Sequence, residues 1–121
     1  MPAVAVTAAG AGIGRAVVEL FAERGYGVVA VDADKEARAA LAGDRVVTLA
    51  GDVADQATNA EMVRLAVAAY GRLDAAVLNT GAGGAPPLED AAAAAALDAI
   101  HAVNVRGAAL GIGAAGASRP R

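Results

Sequence analysis

The sequence predicts an α/β fold, a doubly wound parallel sheet with helices on both faces, and three observations predict it. Short Val- and Ala-rich runs alternate strictly with helical patterns between residues 3 and 81. Glycines stand just past two of the helical patterns, at Gly25 and Gly71, where a left-handed residue commonly ends a helix. A further cluster, Gly10, Gly12 and Gly14, occupies the short junction between the first apolar run and the first helix.

In chain order, AVAVT (3–7) is the first strand. The helix after it carries Ile13, Ala16, Val17, Leu20 and Phe21 at i, i+3, i+4, i+7 and i+8, which marks its apolar face. GYGVVAVD (25–32) is a Val-rich second strand, DADKEARAAL (32–41) a short helix and RVVTLAGD (45–52) the third strand. DQATNAEMVRLAVAAYG (55–71) is a longer helix, and LDAAVLNTG (73–81) is the fourth strand. The Gly- and Pro-rich loop 81–87 leads into an Ala-rich helix over 88–106, and 108–121 reads as an irregular Gly/Ala-rich tail.

A chain of 121 residues suits one domain. With 37 alanines and only 2% aromatic residues, each apolar position brings little volume, so stability has to come from close approach of the elements. The net charge of −3 and the scatter of the ten basic residues argue against a nucleic-acid partner. Without cysteine there is no disulfide, thiolate catalyst or cysteine metal site, and the single His101 makes a histidine metal centre improbable. The N-terminus shows no basic leader and its apolar run is far shorter than a membrane span, so a soluble cytoplasmic protein is expected.

A strand that ends in glycines and opens a helix gathers unpaired N–H groups and the positive helix end at one point, which suits a phosphate or pyrophosphate. A tight strand-to-helix turn without ligand would use the same glycines. The spacing is not G-x-G-x-x-G, because Arg15 occupies the third glycine position, and no Lys follows to make a Walker loop. Asp32 adds weight: it ends the second strand 20 residues after Gly12, where a carboxylate can accept from an adenosine ribose and would repel a 2′-phosphate. An N-cap or turn aspartate is the other role open to it.

In these stretches the sequence resembles the short-chain dehydrogenases/reductases. TAAGAGIG (7–14) is similar to that family's T-G-x-x-x-G-I-G loop, GDVAD (51–55) to its adenine-contact element, LDAAVLNTGAG (73–83) to its fourth strand ending in N-A-G, and HAVNVRG (101–107) to its N-V-x-G helix segment. Four such motifs in the family's order run through most of the chain. The resemblance implies a Rossmann-like NAD(P)-binding domain over 1–107, truncated to about four strands in the order 3-2-1-4, with NAD preferred over NADP. It implies cofactor contacts from Thr7, Gly10, Gly12, Ile13, Gly14, Asp32, Asp52, Val53, Asn79 and Gly81, and assigns Asn104 to the catalytic proton relay. Two positions depart from the pattern: Ala8 stands where the loop has its first glycine, and Thr80 where the fourth-strand motif has Ala. Each adds atoms beside a closely approaching cofactor.

Asn104 also follows from periodicity. Leu97, Ile100, His101 and Asn104 share one helix face, expected to be buried, so its amide is either a satisfied core group or a working one. The family's acid–base pair is a Tyr with a Lys one turn later, assisted by a Ser. Here Tyr26 and Tyr70 are followed at i+4 by Ala30 and Asp74, the one Lys is Lys35 and the one Ser is Ser118. Two readings follow. One is the NAD(H)-binding portion of an oxidoreductase acting on an alcohol or ketone, a truncated or frameshifted copy that is inactive alone. The other is a non-catalytic nucleotide-binding or subunit-pairing module, in which the apolar edge of the fourth strand pairs with another subunit or a second copy.

Overall fold

The computed structural model describes residues 1–41 and 43–118. Four strands, β1 (Ala3–Thr7), β2 (Gly27–Val31), β3 (Val46–Leu49) and β4 (Ala75–Val77), form one sheet in the order β3-β2-β1-β4. Every pairing is parallel, and Thr7 lies level with Val31, so the carboxyl ends of the central strands finish together. The helices are α1 (Gly12–Glu23), α2 (Lys35–Ala39), α3 (Gln56–Tyr70), α4 (Ala93–His101) and α5 (Ala108–Ala117). The Rossmann-like sheet and its 3-2-1-4 order are as the sequence implied.

β1 and β2 are buried along their whole length, the signature of parallel strands covered on both faces. Val4, Val6, Val28 and Ala30 face Val18 of α1, with Phe21 and Tyr26 alongside. Ala5, Val29 and Val31 face Met62 and Ala66 of α3 on the other side. The helix ends are local events. Gly25 at φ +89 turns the chain after α1, with Tyr26 N–H donating back to Phe21 O at 3.0 Å, and Gly71 at φ +78 closes α3.

Four expectations need correction. The apolar face assigned to α1 is out of phase: Ile13 is 74% and Leu20 44% exposed, while Gly14 and Val18 are buried. The phase is set at Gly14, where a Cβ would collide with the Ala8 carbonyl, so that glycine must face the sheet. The face Leu97, Ile100, His101, Asn104 is not buried either, since Leu97 is 58% exposed and His101 and Asn104 are exposed. The inward stripe runs instead through Ala93, Ile100, Val103 and Gly107.

The third correction concerns the tail. Residues 108–117 are the helix α5, joined to α4 by a π-helical turn over Ala102–Gly107. Its glycines argue against a helix by propensity, but packing overrides it. Gly111 is buried where α5 passes β4, and a Cβ there would lie 2.8 Å from Leu78 Cδ2. Residues 119–121 of the expected tail lie outside the described residues. The helix expected over 88–106 begins only at Ala93, after turns that include Ala93 N–H to Asp90 O at 3.0 Å.

The amino end of the sheet is tied by two polar contacts. The Tyr70 ring lies over Gly27, and its hydroxyl donates to Arg45 O at 2.8 Å. Asp74 accepts from Ala3 N–H at 2.8 Å and pairs with Arg72, and that hydrogen bond to Arg72, followed by the one from Ala3, holds its carboxyl below the ordinary carboxylate value. A folded-state pKa below the unfolded one stabilises the fold above the unfolded value, and the contribution is lost as pH falls through the folded value. Asp74→Asn should therefore lower Tm at neutral pH and flatten its decline below about pH 4, as followed by circular dichroism from acid to neutral pH. Parallel Tm curves for the two proteins would show that Asp74 does not act through its charge.

Candidate functional site

The candidate site lies at the carboxyl ends of β1, β2 and β3, the place where an open parallel sheet with this strand order leaves a crevice. A cleft of about 270 Å³ opens there, lined by Ala8, Asp32, Asp52, Val53, Thr80 and Val103 among others. Thr80 of its lining is anchored by Thr7, a buried side chain at the end of β1. Thr7 Oγ1 accepts the amides of Asn79 at 2.9 Å and Thr80 at 3.1 Å, so one hydroxyl fixes the end of β4 against β1.

From Thr7 the chain turns through Ala8 at φ +51, a left-handed conformation that costs a non-glycine residue roughly 1–2 kcal/mol. Gly10 then approaches β2 so closely that a Cβ would come within 2.9 Å of Asp32 Oδ2. The helix α1 begins at Gly12, φ +56, and no side chain caps it. Gly12 and Ile13 are exposed on its first turn, while Gly14 sits beneath, between the Ala8 carbonyl and Asn79 Nδ2.

Asp32 stands at the carboxyl end of β2. Its Oδ2 accepts from Gly10 N–H and its Oδ1 from Asp34 N–H, both at 2.9 Å, and Arg38 Nη1 donates to its carbonyl at 2.8 Å. The carboxylate is thus fixed in direction, yet each oxygen retains a second acceptor site. The N-cap role left open for an aspartate falls to Asp34, which accepts from Glu36 and Ala37 N–H. Asp52 accepts from Ala54 N–H at 2.9 Å, and Val53 is 7% exposed in the cleft wall.

Gly81 and Asn104 stand beside the cleft rather than among the residues lining it. Asn104 is exposed, and its amide grips one residue of the loop from both sides: Oδ1 accepts from Ala82 N–H at 2.7 Å and Nδ2 donates to Ala82 O at 3.0 Å. It lies in the π-helical turn, where the extra residue rotates the following helix. The structure thus gathers Asp32, Asp52 and Val53 in the cleft lining, whereas Thr7, Gly10, Gly14 and Asn79 do not line it.

Sequence reasoning missed Asn59 and Tyr70. Asn59 is buried on α3, and its Nδ2 donates to Val53 O at 2.8 Å and Asp55 O at 3.0 Å, holding the turn that carries Val53. Its spacing from Met62 and Ala66, i+3 and i+7, was the available signal. Tyr70 lies at the far end of the sheet, and burial pushes its phenol above the ordinary value, away from what a base at neutral pH requires. Among the described residues no cluster of His, Cys, Asp or Glu could hold a metal ion, and no helix is long and apolar enough to cross a membrane.

A sequence model described as short chain dehydrogenase matches residues 2–117. A 1,2-dihydroxy-1,2-dihydronaphthalene dehydrogenase of a Ralstonia species is 42% identical over 81 residues, 64% of this chain and 31% of that protein. A 3-ketoacyl-(acyl-carrier-protein) reductase from Brucella melitensis complexed with NADH superposes with a TM-score of 0.82 at 33% identity, covering 92% of this chain and 47% of that one. A blue fluorescent protein from a metagenomic library in complex with NADPH superposes with a TM-score of 0.87 at 29% identity, covering 98% of this chain and 51% of that one. The chain therefore spans about half the length of these solved relatives, and under a third of the curated one is matched.

The anchor at Thr7 can be tested directly. Thr7→Val keeps the shape and removes the acceptor of the Thr80 amide and one of two acceptors of the Asn79 amide, which also donates to Val77 O at 3.1 Å, so it should destabilise the fold by about 1–3 kcal/mol. Urea unfolding read by circular dichroism measures it, and a change within about 0.5 kcal/mol would mean those amides find other partners.

Proposed function

The chain belongs to the short-chain dehydrogenase family, and from that premise we propose that it binds NAD(H) in the cleft at the ends of β1 to β3. It would do so as the cofactor-binding portion of an oxidoreductase acting on an alcohol or ketone, in the cytoplasm. The observation that carries this reading is the Asp32 carboxylate. It is held open-handed at the cleft wall by Gly10 and Asp34, with acceptor capacity left for two ribose hydroxyls. A 2′-phosphate in the same place would meet that negative charge, which supports NAD over NADP.

The residues present fit the group. Gly12 has open space around it, room for a pyrophosphate to approach the backbone, and the uncapped start of α1 at Gly12 and Ile13 offers amides with a favourable dipole, while Gly10 and Gly14 pack the loop against Asp32 and Ala8. Val53 gives the adenine an apolar wall, with Asp52 beside it. Asn79 and Gly81 border the cofactor's path at the end of β4. Asn104 would serve the proton relay by holding the loop at Ala82 in place. When bound, the nicotinamide ring supplies the hydride acceptor or donor.

Hydride transfer at a carbonyl carbon also needs a group that exchanges the oxygen's proton. Tyr70 is committed to Arg45 O at 2.8 Å, at the opposite end of the sheet, and Tyr26 packs edge-on against Phe21 with ring centroids 4.8 Å apart. Lys35 lies on α2 and Ser118 follows α5, so no Tyr-x-x-x-Lys pair faces the cleft. We therefore expect the chain alone not to turn over an alcohol or ketone. One observation favours the second reading, a nucleotide-binding module that pairs with another subunit: β4 is an edge strand whose Ala75 is exposed.

Calorimetric titration with NADH, and with NADPH alongside, tests the reading. Saturable NADH binding is expected, with NADPH weaker by about tenfold, the effect of about 1.4 kcal/mol of repulsion. Asp32→Asn should shrink that difference. Absence of binding to either dinucleotide would sink the assignment. A steady-state rate with the purified chain would overturn the expectation of inactivity, and a nucleotide-dependent change in sedimentation would favour the pairing module.

A further inference from the structure

We propose that Ala8 is a strain-bearing positioning residue: its left-handed backbone makes closure of the 8–11 loop conditional, and so sets how tightly the cleft takes NAD(H). The proposal rests on reading the cleft as a dinucleotide site. Among the described residues every other positive φ belongs to a glycine, at 12, 25, 71 and 84, and Ala8 alone carries a Cβ there. It also lines the cleft.

Such a conformation persists only where the surroundings over-determine it, and five contacts do so here. Before Ala8, Thr7 Oγ1 is locked by the amides of Asn79 and Thr80. After it, Ala9 N–H donates to Val31 O at 3.1 Å and Gly10 N–H to Asp32 Oδ2 at 2.9 Å. Its own carbonyl is packed against Gly14. Released from these contacts, an alanine relaxes to negative φ, whereas a glycine has no such preference. Opening therefore relieves strain in this chain and would relieve none in a glycine variant.

The contact that matters for function is the one through Asp32. The carboxylate that holds Gly10 is the proposed acceptor of the ribose hydroxyls, so loop closure and ribose binding meet on one group. A dinucleotide that needs the closed loop selects it, and its apparent affinity falls in proportion to the closed fraction. Ala8 lowers that fraction, which makes the loop close most fully when ligand is present.

Amide hydrogen exchange on the full chain without nucleotide, paired with NADH calorimetry, tests this in Ala8→Gly. The amides of Ala9 and Gly10 should gain about 3- to 10-fold in protection, the left-handed penalty less the added freedom of glycine in the open loop. Protection of β3 relative to the remaining core should not move. NADH affinity should rise by a similar factor, up to about 10-fold. Ala8→Asn, which enters the left-handed region more readily than alanine, should raise loop protection in part.

Unchanged loop protection in Ala8→Gly, a fall in Ala8→Asn, or an equal gain at every amide would overturn the proposal. A protected loop with unchanged NADH affinity would overturn it too, since the closed form would then already dominate. Raised loop protection with no NADH binding to either protein would support the strain and count against the dinucleotide reading.

Discussion

The contact between the Ala8 carbonyl and Gly14 is the constraint from which the rest of this structure follows. It lets the first turn of α1 sit directly against the end of β1, with no side chain between them. That contact fixes the phase of α1, turning Val18 inward and leaving Ile13 and Leu20 outside. It also fixes the loop that faces the cleft. Packing and site geometry are therefore one decision, taken at a position where the smallest side chain is required.

The same device recurs through a core that is thin in side-chain volume. Gly27 receives the ring of Tyr70, Gly107 lies against Val53, Gly111 against Leu78 and Gly51 against Thr58. At each of these a larger residue on one element fills the space that a missing Cβ leaves on the next. A chain with 37 alanines lacks bulky side chains to bridge distant elements, so its elements approach until backbone and side chain touch. Glycine in such a chain is a packing residue as much as a turn residue. This is how Gly111, which reads as disruptive in a single sequence, fits a helix packed on Leu78.

What was legible in the sequence follows from that distinction. The strands could be read because continuous Val runs between glycine signals admit few alternatives, and β1 and β2 are buried throughout; their order came from the family resemblance. Asp32 could be placed because the end of a strand is a sharp landmark. Helix faces were less legible. An apolar stripe made of alanine has a weak phase, and in α1 and in the π-helical turn after α4 the buried positions include Gly14 and Gly107, residues that carry no hydropathy signal. The π-helical turn at Asn104 then shifts the register again, exposing a residue that periodicity assigned to the core. Asn59 escaped notice for a related reason: a buried amide bonded to Val53 O resembles any surface Asn until its partner is known.

Cofactor binding and proton transfer draw on different kinds of information in a sheet of this kind. The groups that would hold a dinucleotide are mostly main-chain features: the uncapped start of α1, the open backbone at Gly12, and the level ends of β1 and β2. They need only one fixed carboxylate, Asp32, to orient them. All come from the strands and loops of the first half of a Rossmann-like sheet, so a chain half the length of its solved relatives can carry them intact. Acid–base chemistry instead needs particular side chains with shifted pKa values converging on one atom. In this chain the phenols that could supply one are packed at the other end of the strands, where Tyr70 is pushed the wrong way by burial. Binding of the kind proposed can therefore be built from backbone and one carboxylate, whereas proton exchange cannot.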